Sequence, residues 1–253
     1  MEKYIGAIIE TVAESGHEVL AVYDRGSKLY GLATESSDRD ILVIVDTKIE
    51  DLVRNTTYAD MVKIPEYDLD LAVMDEYRLA SHLRKSILNT IECFFSEPLY
   101  VADSFVESSC YLSDFALEFL TRDLKSLYGR LYGYFRSYSK EKVPAVGTEF
   151  AGKRWALAYR AHEVSNYLLL HGADSSKVDL SKLLIPTGAY SEYLRKLKST
   201  IVSDADVVET ITTMKETFVS MEKKLLAAVA EQRAVPDDTV ILGYYEYMQA
   251  PKA

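Results

Sequence analysis

Cysteine is scarce in this chain, with two residues in 253, which excludes a disulfide framework and a cysteine-built metal knuckle. Cys93 and Cys110 both lie in apolar sequence and are expected as buried thiols. The four histidines, His17, His82, His162 and His171, show no metal-ligand spacing and are expected as surface or core residues. No apolar run approaches the roughly 20 residues that cross a bilayer. The opening Met1-Glu2-Lys3-Tyr4 lacks the basic, apolar, small-residue order of a signal peptide, so the cytoplasm is the expected location and no membrane is expected as a partner. Internal repeats and low-complexity stretches are missing as well.

Positive charge is in short supply too. The formal net charge of −10 argues at first against a nucleic-acid partner. Its distribution says more. Residues 1–100 hold 19 acidic and 10 basic side chains, whereas residues 121–160 hold nine Lys and Arg against three Asp and Glu. A carboxylate-rich half is therefore followed by a segment able to face phosphates, although a solvated helix face gives the same composition.

A hydrophobic fraction of 48% and a charged fraction of 27% are those of a soluble globule with a sizeable core. Apolar residues at helical spacing (Tyr4, Ile5, Ile8, Ile9, Val12) predict a helix over 2–15. Glu18–Arg25 reads as a strand, followed by a Gly-Ser turn and a short helix over Lys28–Ala33. Two further strands are expected at Asp38–Asp46 (DRDILVIVD) and Tyr67–Asp75 (YDLDLAVMD), each with an acidic start and an apolar end. From Glu76 the period becomes helical, with helices expected near 76–88, 90–96, 104–137, 149–171, 189–199 and 204–232, and breaks possible at Gly129 and Gly133. The tail from Gly243 is expected to be loosely held. The fold class is α+β: a small mixed sheet with helices over 1–100, then a helical domain over 101–253.

Three acids stand out: Asp38, Asp40 and Asp70. Residues two apart on a strand share a face, so Asp38 and Asp40 project together. Charges at the start of so apolar a strand are costly unless they meet solvent or a cation. A second strand brings Asp70 to the same edge, with Asp68 as the weaker choice. Clustered carboxylates repel one another, and hard divalent ions relieve that repulsion. Two such ions about 3.5–4 Å apart can activate a hydroxyl and stabilise a leaving pyrophosphate. Upstream, Gly26-Ser27 follows a strand; glycine lets backbone approach phosphate and serine adds a hydroxyl. Neither Gly-Ser nor Asp-x-Asp means much alone, since both abound in turns and caps. Their order along alternating strands is the signal.

The span GSKLYGLATESSDRDILVIV resembles the Gly-Ser and Asp-x-Asp signature of polymerase β-type nucleotidyltransferases. With Tyr30-Gly31, Thr34 and Ser37-Asp38 it is similar to the RNA-repair-associated predicted nucleotidyltransferases of bacteria and phages. The later DLDLAVMD leading to Asn89-Thr90-Ile91-Glu92 matches that family's third acidic strand and Asn-x-x-Glu element. Lys153 and Arg160 match a Lys and Arg of a later helix, while the intervening histidine position holds Leu157. The resemblance implies two Mg²⁺ ions, replaceable by Mn²⁺, on Asp38, Asp40 and Asp70, with Gly26 and Ser27 at the triphosphate of an NTP such as ATP.

Lys153 and Arg160 are seven residues apart, almost two turns, and so share a helix face. They read as a clamp on the triphosphate or acceptor, or as a solvated stripe. In LKSLYGRLYGYFRSYSK, tyrosines alternate with Lys125, Arg130 and Arg136; this suits stacking on single-stranded RNA, but helix-core packing is the commoner cause. Trp155 is expected to be a packing residue at the junction of the halves. Three acceptors fit: an RNA or tRNA 3′ end, a small hydroxylated or cationic molecule, or a protein hydroxyl. A non-catalytic nucleotide sensor is the rival of another class.

Overall fold

The two stretches in which aspartate gives way to Val, Ile and Leu form the centre of a sheet in the computed structural model, which describes residues 2–33, 37–171 and 189–231. β1 (Val19–Asp24), β2 (Arg39–Val45), β3 (Ala59–Ile64), β4 (Leu69–Asp75) and β5 (Tyr100–Val101) stand in the order β3-β4-β2-β1-β5. β2 and β4 are parallel; the other pairings are antiparallel, so the sheet is mixed. Ile41, Leu42, Val43, Ile44 and Val45 are all at most 1% exposed. Burial on both faces explains why this strand reads as a continuous apolar run rather than an alternation.

One face of the sheet is covered by α1 (Glu2–Ala13), whose Ile8 and Val12 join Ile41, Val43, Val45, Leu69, Leu71 and Val73 in one core cluster. Those strand residues are the odd-numbered ones, so Asp38, Asp40 and Asp70 lie on the opposite face. Arg39 confirms the alternation: its guanidinium bonds Asp24 at 2.8 and 3.1 Å and lies over the ring of Tyr4 in α1. The loops of this unit add two short helices, α2 (Gly26–Leu29) and α3 (Ile49–Val53). After β4, buried Asp75 accepts from the amides of Arg78 and Tyr58, capping α4 (Glu76–Arg84) and closing the strand end. α5 (Leu88–Ile91), a 3-10 turn at Glu92–Phe95, α6 (Val106–Asp114) and α7 (Ala116–Thr121) complete it.

The described chain divides into two compact units, one of residues 2–30 and 37–122, the other of 31–33, 123–171 and 189–231. The second is helical: α8 (Leu124–Ser139), α9 (Gly152–His171), α10 (Ala189–Ser199) and α11 (Ala205–Glu231). Phe135, Tyr138, Trp155 and Phe218 pack as an aromatic core, with Trp155 stacked on Phe218 at 6.1 Å. Trp155 is thus a packing residue within this unit. The architecture is α+β, a small mixed sheet with helices followed by a helical region. No helix among the described residues is long and apolar enough to cross a membrane.

Several local expectations are corrected. The helix expected over 104–137 is three helices, broken at Phe115 and at Arg122-Asp123. Asp123 ends one by capping the next, accepting from Ser126 N at 2.9 Å, while Gly129 and Gly133 lie inside α8 without breaking it. The helix expected over 90–96 is one helical turn and a 3-10 turn. The short helix at the Gly-Ser turn starts at Gly26 itself, not at Lys28. Cys110 is exposed; only Cys93 is buried. Strand β3 is an addition, as is the two-residue β5. The tail from Gly243 lies outside the described residues.

A buried contact in the helical unit yields a test. A methyl group on Gly152 would collide with the backbone carbonyls of Leu197 and Thr200, which cannot swing away as a side chain can. Gly152→Ala should therefore lower the stability of this unit by about 1–3 kcal/mol, read as a lower urea midpoint. An unchanged midpoint would contradict the packing of α9 on the end of α10.

Candidate metal centre

Parallel, in-register pairing of β2 with β4 sets Asp40 directly opposite Asp70. Paired residues on adjacent strands project from the same face, and Asp38, two positions before Asp40, shares it. One carboxylate oxygen from each of the three lies within 4.8 Å of the others, and all three side chains are half-buried. Oxygens bound to one hard cation at about 2.0–2.6 Å stand no more than about 5 Å apart, so these donors fit such an ion in both chemistry and spacing. Asp68 is not in the group. It turns the chain into β4 with a left-handed backbone (φ 53°), and its carbonyl accepts from Arg39 N at 3.1 Å.

Two neighbours extend the row across the sheet. On one side, antiparallel β3 places Lys63 opposite Asp70, and its ammonium reaches the two carboxylate oxygens at 2.9 and 3.1 Å. Hydrogen bonding to Asp70 holds the Lys63 ammonium above its ordinary pKa, helped by the charges of Asp70, Asp38 and Asp68. The site thus attracts positive charge, and a cation tethered to the fold already meets part of that demand. On the other side, Arg25 N donates to Asp40 O at 2.9 Å, bringing Gly26 against the Asp40 carboxylate. Gly26 has φ +63°, and a Cβ there would overlap that carboxylate. Glycine is needed twice over, for the backbone angle and for the space. Ser27, buried in α2, follows directly.

Asp38, Asp40, Asp70, Gly26 and Ser27, the residues expected from the sequence, lie in one region of the first unit. Lys63 was missed, because β3 is mostly exposed and its apolar alternation is weak; the signal available was a lysine in a strand-length segment just before the acidic strand. Lys153 and Arg160 stand on α9 in the second unit, where Lys153 is exposed and Arg160 is only 7% exposed. In α8, Tyr128, Phe135 and Tyr138 are buried, and Tyr128 and Tyr138 donate to the carbonyls of Leu168 and Arg154. That is helix-core packing, with Lys125, Arg130 and Arg136 left on the exposed face.

No protein-family model and no curated protein matches the chain. Among solved structures, it is similar to a nucleotidyltransferase-like protein from Exiguobacterium sibiricum 255-15, with 12% identity, a TM-score of 0.33 and coverage of 98% of this chain and 79% of that one.

The Lys63–Asp70 pair makes a prediction about cation binding. Lys63→Met removes a charge that both occupies Asp70 and repels an incoming ion. Divalent binding should tighten by roughly two- to fivefold at low salt, the scale of an exposed ion pair, as measured by calorimetric titration with Mn²⁺. Weaker binding in the variant would show that Lys63 supports the ion rather than competing with it.

Proposed function

We propose that the chain is a metal-dependent nucleotidyltransferase, moving a nucleoside monophosphate from an NTP to an acceptor hydroxyl with release of pyrophosphate. The supporting observation is the convergence of Asp38, Asp40 and Asp70 within 4.8 Å, with Gly26 packed against one of them. Together with the strand, Gly-Ser, Asp-x-Asp, strand-Asp order of the sequence, it favours a polymerase β-type catalytic module. The cofactor reading is two Mg²⁺ ions, exchangeable for Mn²⁺, held by the three aspartates; when bound they supply activation of the hydroxyl and neutralisation of the leaving pyrophosphate. The acceptor oxygen attacks the α-phosphorus, the bond to the β-phosphate oxygen breaks, and Asp70 is the proposed acceptor of the hydroxyl proton. Gly26 and Ser27 bind the β- and γ-phosphates through backbone N–H and hydroxyl donors. Catalysis is then mainly positioning and charge neutralisation.

In this reading residues 1–100 carry the transfer chemistry and the helical residues after 100 bind the acceptor. The exposed cations Lys125, Arg130, Arg136 and Lys153 favour an RNA or tRNA end. Lys153 and Arg160 are the proposed cations for the triphosphate or acceptor backbone; Arg160's burial leaves Lys153 the larger share. A second reading, a small hydroxylated and cationic acceptor, is favoured by a cleft of about 490 Å³ in the second unit, lined by Tyr159, Tyr193, Asp206, Glu209, Thr213 and Met214 among others. Its two carboxylates, aromatic rings and hydroxyls suit an amine rather than a phosphate.

Incubation with each labelled NTP, Mg²⁺ or Mn²⁺, and panels of RNAs, small amino-alcohols and proteins should release pyrophosphate with one acceptor class. Asp40→Asn should lower turnover by about 10³-fold, the scale of a lost electrostatic contact in a transition state, while circular dichroism stays unchanged. Equal turnover in the variant refutes the assignment of Asp40; nucleotide binding without turnover would indicate a sensor. An RNA acceptor should bind with affinity that falls steeply with salt, whereas a cleft-bound small molecule should depend on it far less.

A further inference from the structure

A carboxylate is held in the interior of the first unit, outside the aspartate cluster. Glu92 opens the 3-10 turn Glu92–Phe95 and has no solvent exposure. Its neighbours Cys93 and Phe94 are equally buried, and Phe94 meets Tyr23 of β1 edge-on at 5.3 Å. The turn is approached through α5, where the Thr90 hydroxyl and His82 Nδ1 stand 2.8 Å apart and tie α5 to α4. An acidic side chain removed from water carries a large desolvation penalty, which an apolar residue of similar volume avoids. Its presence calls for a geometry that only a fixed acceptor can impose.

Glu92 supplies that acceptor to a phenol. The phenol of Tyr30, itself 6% exposed, donates to Glu92 Oε1. Tyr30 ends α2, and its amide donates to Gly26 O at 3.3 Å. Gly26 in turn lies against the Asp40 carboxylate. A helix of one turn has no stability of its own, since nucleation costs more than its few hydrogen bonds return. α2 must therefore be held by tertiary contacts, and the Tyr30–Glu92 bond joins it to a part of the chain 62 residues away.

We propose that Tyr30 and Glu92 are positioning residues for the metal centre: their buried hydrogen bond pins the end of α2, so that the Gly26 backbone limits rotation of Asp40 and keeps its carboxylate facing Asp38 and Asp70. The inference rests on the metal-dependent reading above and adds two buried residues outside the aspartate cluster. It assigns Glu92 a task in the first unit that the catalytic chemistry does not otherwise use.

The test is Mn²⁺ affinity, read from the free-ion electron paramagnetic resonance signal well below the melting temperature, with Asp40→Asn as the baseline for a lost site. Tyr30→Phe should weaken Mn²⁺ binding about tenfold, the scale of one buried hydrogen bond transmitted to the site. Glu92→Gln keeps an oxygen acceptor for the phenol and should bind within about twofold of wild type. Should Tyr30→Phe fail to fold, Glu92→Asp, shorter by one methylene, carries the same expectation of weakened binding. Wild-type affinity in Tyr30→Phe, whatever its melting temperature, overturns the positioning role alone. Wild-type protein that binds Mn²⁺ no better than Asp40→Asn overturns the metal reading and this inference with it.

Discussion

Two aspartates are forced side by side by a sheet that has no other choice of register. Sliding β2 against β4 by one residue would take Ile41, Val43 and Val45 out of the core cluster under α1 and turn the Asp40 carboxylate into it, so burial beneath α1 fixes the pairing that sets Asp40 opposite Asp70. Each buried Val, Leu or Ile contributes about 1.5–3 kcal/mol. Repulsion between two carboxylates at or inside 4.8 Å is of order 1–3 kcal/mol near a surface, and solvent at these half-buried groups reduces it. Burial along two strands therefore outweighs the repulsion comfortably. The core holds together a charge cluster that would otherwise spread, and the cluster is what can recruit a cation.

The flanks of the row show how the fold manages that charge. Lys63 screens Asp70 from an edge strand, and its long side chain stays largely in solvent while it does so. Gly26 presses on Asp40 from the other side, where only backbone fits. One flank is an exposed side chain; the other is backbone. That asymmetry suits a site that must admit an ion and still aim its ligands.

Much of this was legible in the chain. DRDILVIVD and YDLDLAVMD announce buried strands with acidic starts, and period-two alternation places Asp38 with Asp40. Glycine before serine after a strand marks a close approach, although sequence cannot say that the partner is Asp40. What escaped depends on tertiary context. Strand β3 buries little, so ADMVKI carries no strong pattern and Lys63 went unnoticed. The Tyr30–Glu92 bond joins residues with no local relation. Asp123 at the start of α8 was a readable cap that lost to the more conspicuous glycines inside that helix. Lys153 and Arg160 share a face by spacing, yet one is exposed and the other buried, since helical period gives direction and not depth.

The central claim is that three aspartates form one cation site. Diffraction from crystals grown with Mn²⁺, recorded at the manganese absorption edge, addresses it directly. Anomalous density within bonding distance of Asp38, Asp40 and Asp70 together is the expected result. Manganese bound elsewhere with no density among these carboxylates, or Asp70 still ion-paired to Lys63 at saturating metal, would contradict it.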